Sequence, residues 1–133
     1  MSEAVIVTAE EGDAVADAKR FRVVAIVAGV VAIPFVLAHL MIGFAMASFQ
    51  TMYADMGGEI TGLAGVLIGL GSSGVLALLL LGIDIAVFVG MYRLAKRYWI
   101  GLLFAPVFIY LAISALLVPA MYLPLFQVIS VVE

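Results

Sequence analysis

Three long apolar runs dominate the chain, and the polar stretches between them differ in character. The run 23–48 carries no formal charge. It is longer than the ~20 residues a helix needs to cross ~30 Å of hydrocarbon. The run 73–92 holds one formal charge, Asp84, and the run 99–126 holds none. Each is long enough for a membrane-crossing helix, so the pattern predicts an all-α integral membrane protein with three transmembrane helices. Between the first two runs, 49–72 is rich in glycine and has no Lys or Arg. Residues 49–56 read as an extension of the first helix at the interface. The mixture of Gly and aliphatic residues after Glu59 reads as a short interfacial helical segment leading back in. The run 93–98 is a basic turn edged by Tyr92, Tyr98 and Trp99.

Charge fixes the direction of threading. All six basic residues fall in two clusters, Lys19-Arg20-Arg22 and Arg93-Lys96-Arg97. Lys and Arg collect on the cytoplasmic side, and Tyr and Trp at the headgroup level. Both clusters inside place the N-terminus in the cytoplasm and the C-terminus outside. The expected location is the plasma (inner) membrane, as a multi-pass protein. Residues 1–22 form an acidic cytoplasmic tail ending in a basic cluster, with Glu3, Glu10, Glu11, Asp13 and Asp17 before it. Thr8 and Glu11 have the spacing of a capping box, so the tail is either a short helix running into the first span or a frayed, solvated segment. Pro119 and Pro124 are expected to close the third span, with 127–133 as an external tail. Ala45-Met46-Ala47 mimics a signal-peptide cleavage site, but the apolar run before it far exceeds the usual h-region. Pro34 should kink the first span mildly, which membrane helices tolerate.

Composition narrows the chemistry. The 133 residues are 67% hydrophobic and 11% charged, with one His and no Cys; a soluble domain carries about a quarter charged residues. Disulfides and thiolate metal sites are excluded. Nothing resembles a catalytic triad, a phosphate loop or a cofactor box, so the expected protein is not an enzyme. It has no cofactor and no metal, and it binds no nucleic acid.

A few residues inside the apolar phase stand out. Asp84 lies nine residues before Arg93, ~13 Å along a helix axis, near the middle of the hydrocarbon. An ionisable group there costs at least ~2.5 kcal/mol and marks a functional site by default. The bland alternative is a neutral carboxyl hydrogen-bonded to a neighbouring helix. His39 lies 17 residues beyond Arg22, ~25 Å from the inner face. On that measure it sits well above Asp84, and no direct pair is expected. Tyr110 and Ser114 on the third span match Asp84 better in depth. The first span also pairs small residues at i,i+4, in Ala25/Gly29, Ala28/Ala32 and Gly43/Ala47, a common helix-packing device. Gly82, Ala86 and Gly90 form a further small-residue ridge, nearly opposite Asp84 around the second helix. Two faces that both want protein are easier to cover with another transmembrane subunit or a second copy of the chain.

The run Met121-Tyr122-Leu123-Pro124-Leu125-Phe126-Gln127-Val128 resembles the C-terminus of the inner-membrane platform family of type II secretion and type IV pilus machines. Phe49-x-x-Met52-Tyr53-x-x-Met56-Gly57-x-Glu59-Ile60 is similar to that family's stretch after its first span, although Thr61 and Ala64 depart from its pattern. The order of spans agrees over roughly residues 30–133. The family's two cytoplasmic helical domains have no counterpart here. The resemblance implies a structural or assembly component of a secretion or pilus machine. The other readings are an accessory subunit of a larger complex, such as a respiratory one, and a small proton-linked transporter or channel using Asp84.

Overall fold

The computed structural model describes residues 2–57 and 62–132, with side chains described at 10–57, 62–123 and 126. Every element among them is helical, in the order α1 (Ser2–Asp55), α2 (Gly62–Ser72), α3 (Val75–Arg97), a 3₁₀ segment (Ile100–Phe104) and α4 (Ala105–Val132). Three of these helices are long and apolar enough to cross a membrane. Their outward faces carry large apolar side chains such as Ile26, Met41, Phe44, Leu78, Phe108 and Leu116. A soluble protein keeps exposed apolar residues scattered; here they clothe each long helix, as contact with a lipid bilayer requires.

Several boundaries differ from the sequence reading. The acidic tail and first span form one helix, so Thr8 lies inside α1 rather than at its start. An apolar span continuing a polar helix needs no break, because the backbone bonds are satisfied equally in both phases. The helix also continues through Pro34. The basic cluster is not a turn: Arg93, Lys96 and Arg97 belong to α3, with Lys96 and Arg97 in its last turn, where cations complement the helix dipole. The reversal itself is Tyr98–Trp99, with Trp99 extended (φ −157°, ψ 130°) before the 3₁₀ segment. Pro106 lies in the first turn of α4, where its missing N–H leaves no bond unmade. Pro119 and Pro124 do not close the third span, and α4 runs helical to Val132. The expected external tail is therefore helical as far as that residue. Of the loop, Glu59, Ile60 and Thr61 lie outside the described residues. The short helix predicted there is α2, entered and left through glycines with positive φ, Gly62 and Gly74.

Packing follows a seven-residue seam. On α1, Ala32, His39, Met46 and Tyr53 are buried at intervals of seven; on the third span, Leu103, Tyr110 and Leu117 repeat that spacing. On α3, Ala77 and Asp84 do the same. A stripe of this period keeps one narrow line of side chains facing a partner helix. Two glycines let the backbones meet. A Cβ at Gly43 would come within 2.6 Å of Ala77 Cα, and one at Gly71 of α2 would overlap Met46. Away from the basic end, Met46, Tyr53, Ile68, Leu76, Leu80, Leu117 and Met121 form one core, and Ala28, Ala95 and Leu103 a smaller one at the basic end.

Candidate functional site

Between those two cores, three seam positions are occupied by polar residues. His39 of α1 and Asp84 of α3 are 0% and 1% exposed, and Tyr110 of α4 is equally buried. His39 Nδ1 faces both carboxyl oxygens of Asp84, at 2.9 and 3.0 Å. On its other edge, Nε2 meets Ser114 Oγ at 2.9 Å and the Tyr110 carbonyl oxygen at 3.3 Å. The Tyr110 hydroxyl donates to the Asp84 carbonyl oxygen at 2.7 Å. The Tyr110 ring stands edge-on to the imidazole, with centroids 5.9 Å apart.

These contacts close a ring. Side chain joins α1 to α3, hydroxyl joins α4 to the backbone of α3, and imidazole joins α1 to the backbone of α4. The helix backbone at Asp84 spends its own N–H and carbonyl on the helical ladder, and the carbonyl's second lone pair takes the Tyr110 hydroxyl. Among the described residues no buried side-chain nitrogen or oxygen is left without a partner. That completeness is what makes a polar cluster tolerable in an apolar medium, where an unmade bond costs several kcal/mol.

The Tyr110 carbonyl can only accept, whereas the Ser114 hydroxyl can donate to Nε2 or accept from it and the Asp84 carboxyl faces Nδ1, so the ring of contacts serves either tautomer of His39. Among the described residues no three His, Cys, Asp or Glu side chains converge; around His39 and Asp84 the remaining polar atoms are hydroxyl and carbonyl oxygens.

The structure thus brings His39, Asp84, Tyr110 and Ser114 together, and it corrects the expectation that His39 and Asp84 lie at different depths. That expectation measured His39 from Arg22 and Asp84 from Arg93, as though both marked one plane. In the fold Ala28 packs with Ala95, and His39 and Asp84 each lie eleven residues from that contact. Arg22 stands six residues farther out on α1, ~9 Å, which accounts for much of the mismatch. The seven-residue spacing of His39 with Met46 and Tyr53 is the sequence signal that places it in the seam.

The small-residue ridge behaves differently. Gly82 and Ala86 are exposed and Gly90 is half-buried. A Cβ at Gly82 or Gly90 would meet nothing within 4 Å. Among the described residues, neither glycine of the ridge packs on another helix. Arg93, Lys96 and Arg97 are exposed at the end of α3, near Phe21 of α1, whose ring meets Tyr92 edge-on at 5.3 Å. Sequence reasoning passed over Tyr53, whose hydroxyl donates to the Met121 carbonyl at 2.9 Å and makes a second tie from α1 to α4.

No family model matches the chain, and neither the curated proteins nor the solved structures contain a match to it.

Proposed function

We propose that this protein is a non-enzymatic, structural component of a membrane complex, multi-pass in the plasma (inner) membrane, with its N-terminus cytoplasmic and its C-terminus outside. One observation carries the reading: among the described residues every buried side-chain nitrogen and oxygen has a partner, and the ring is closed by the chain's own helices. A site that moves ions or transforms a substrate keeps a polar group available to it. This ring instead fixes helix register, the best-attested use of isolated polar residues in a helical seam. The open ridge of α3 is the surface left for other transmembrane subunits or for a second copy. The secretion and pilus platform resemblance supplies one candidate complex, and an accessory role in a respiratory or similar assembly is the alternative.

The deciding experiment is Asp84→Asn. An Asn amide can donate to His39 Nδ1 while Nε2–H keeps the Tyr110 carbonyl, so the ring survives without an ionisable carboxyl. Native complexes, isolated in mild detergent and identified by mass spectrometry, should then be unchanged. A proton-linked transporter or channel is the second reading, favoured by the direct contact between His39 and the Asp84 carboxyl in mid-span. Abolished proton flux in liposomes, with complexes of Asp84→Asn intact on native gels, would establish that reading in place of the first.

A further inference from the structure

At the basic end, α1, α3 and the reversal enclose a cleft of about 580 Å³. Arg22, Lys96 and Arg97 line it together with Tyr92, Trp99 and one carboxylate, Asp17. Three cations against one anion leave the cleft a formal charge of +2, from 3 − 1, at neutral pH. Among the described residues no carboxylate lies within ion-pair distance of these cations, and the Arg97 guanidinium stands over the Tyr98 ring at 5.4 Å. A second hollow, of about 210 Å³, lies deeper along the seam between α1 and α3. It is lined by Gly29, Ala32, Ile33, Val36, Leu37 and Phe88, all apolar or small. Phe88 is one helical turn from Tyr92 on the same face of α3, and Gly29 lies two turns beyond Arg22 on α1. The same two helices, α1 and α3, thus form a groove whose basic end is charged and whose deeper hollow is apolar.

We infer that this groove binds an anionic glycerophospholipid: its phosphodiester lies among Arg22, Lys96 and Arg97, and one acyl chain runs past Gly29 and Phe88. Basic pockets between transmembrane helices are suited to anionic headgroups. Asp17 sets the finer preference, because a carboxylate at the mouth accepts hydrogen bonds from headgroup hydroxyls and repels a second phosphate charge. The fitting class is a singly charged, hydroxylated headgroup such as phosphatidylglycerol. A soluble phosphate would use the mouth but leave the apolar hollow unexplained. Trp99 and Tyr98 are 70% and 67% exposed beside the mouth, where amphipathic rings mark the headgroup level. The Trp99 ring lies across Gly101, whose lack of a Cβ makes room for it.

Trp99 is the one tryptophan of the chain and reports on its own lipid neighbours. The full-length protein is placed in phosphatidylcholine nanodiscs containing a fixed fraction of dibrominated phosphatidylglycerol or dibrominated phosphatidylcholine, and Trp99 quenching is measured. Incorporation into the discs tests membrane insertion separately from lipid preference. The expected result is stronger quenching by phosphatidylglycerol. That preference should fall about fivefold for each charge removed in Lys96→Gln and Arg97→Gln, the scale of one basic side chain at an anionic surface. Lys19→Gln with Arg20→Gln, outside the cleft, should leave it unchanged. Gly29→Leu, which fills the apolar hollow, should weaken phosphatidylglycerol quenching while helicity and unquenched Trp99 emission stay constant. Equal quenching by the two bromolipids, or equal loss in the Lys19/Arg20 variant, overturns the inference. Displacement of the bromolipid by millimolar glycerol phosphate reassigns the mouth to a soluble anion and overturns it equally.

Discussion

Two pairs of helical glycines in this protein look alike in sequence and differ in space. Gly43 and Gly71 sit where backbones touch, and a methyl group at either would collide with the neighbouring helix. Gly82 and Gly90 open onto nothing within 4 Å. The first pair serves contacts already made inside the chain, beside the His39–Asp84–Tyr110 ring. The second lies on the far side of α3, where none of the described residues packs against it. A small residue in a membrane helix thus permits close approach without itself showing that a helix of the same chain makes it.

Substitutions can break that contrast at either side. Gly43→Leu is expected to have the largest effect. It forces side-chain atoms into the Ala77 backbone, a contact that cannot yield as a flexible side chain does, at a cost of about 3 kcal/mol or more. Its thermal midpoint in detergent should drop well below that of the parent; an unchanged midpoint would mean α1 and α3 do not cross there. Asp84→Leu comes next, because it leaves His39 Nδ1 facing carbon. A loss of about 1–2 kcal/mol is the scale of an interhelical hydrogen bond in membranes, and Asp84→Asn should recover most of it. Equal loss in both variants would assign the stability to ionisation rather than to the bond. Tyr110→Phe removes only the hydroxyl donated to the Asp84 carbonyl, with an expected cost of about 0.6 kcal/mol in reversible unfolding assays. Smallest for the isolated chain is Gly90→Leu, which should leave the midpoint unaltered and act only on copurifying subunits. Retention of every partner in that variant would show that the ridge faces lipid.

The spans were legible because hydrophobicity alone decides whether a 20-residue run enters hydrocarbon. Asp84 and His39 were legible as oddities for the same reason. Their meeting was not, because depth was measured from charged residues, and long basic side chains do not mark a shared plane. Lys96 and Arg97 are still helical in α3, while Arg22 sits well outside the Ala28–Ala95 contact. The helix through Pro119 and Pro124 was hidden by reading proline as a stop, a rule that holds better in water than in an apolar phase. Which glycines pack within the chain depends on the helix crossing point, which Gly43 and Ala77 determine jointly and neither announces alone.

The unbroken α1 carries one more consequence. At 1.5 Å per residue its 54 residues extend about 80 Å, far more than a bilayer's hydrocarbon. Residues 10–20 are exposed on every side, and their acids, Glu10, Glu11, Asp13 and Asp17, stand just beyond the cationic collar of Lys19, Arg20 and Arg22. Because no break separates them, the exposed acidic stretch and the apolar span turn as one rigid body rather than about a joint.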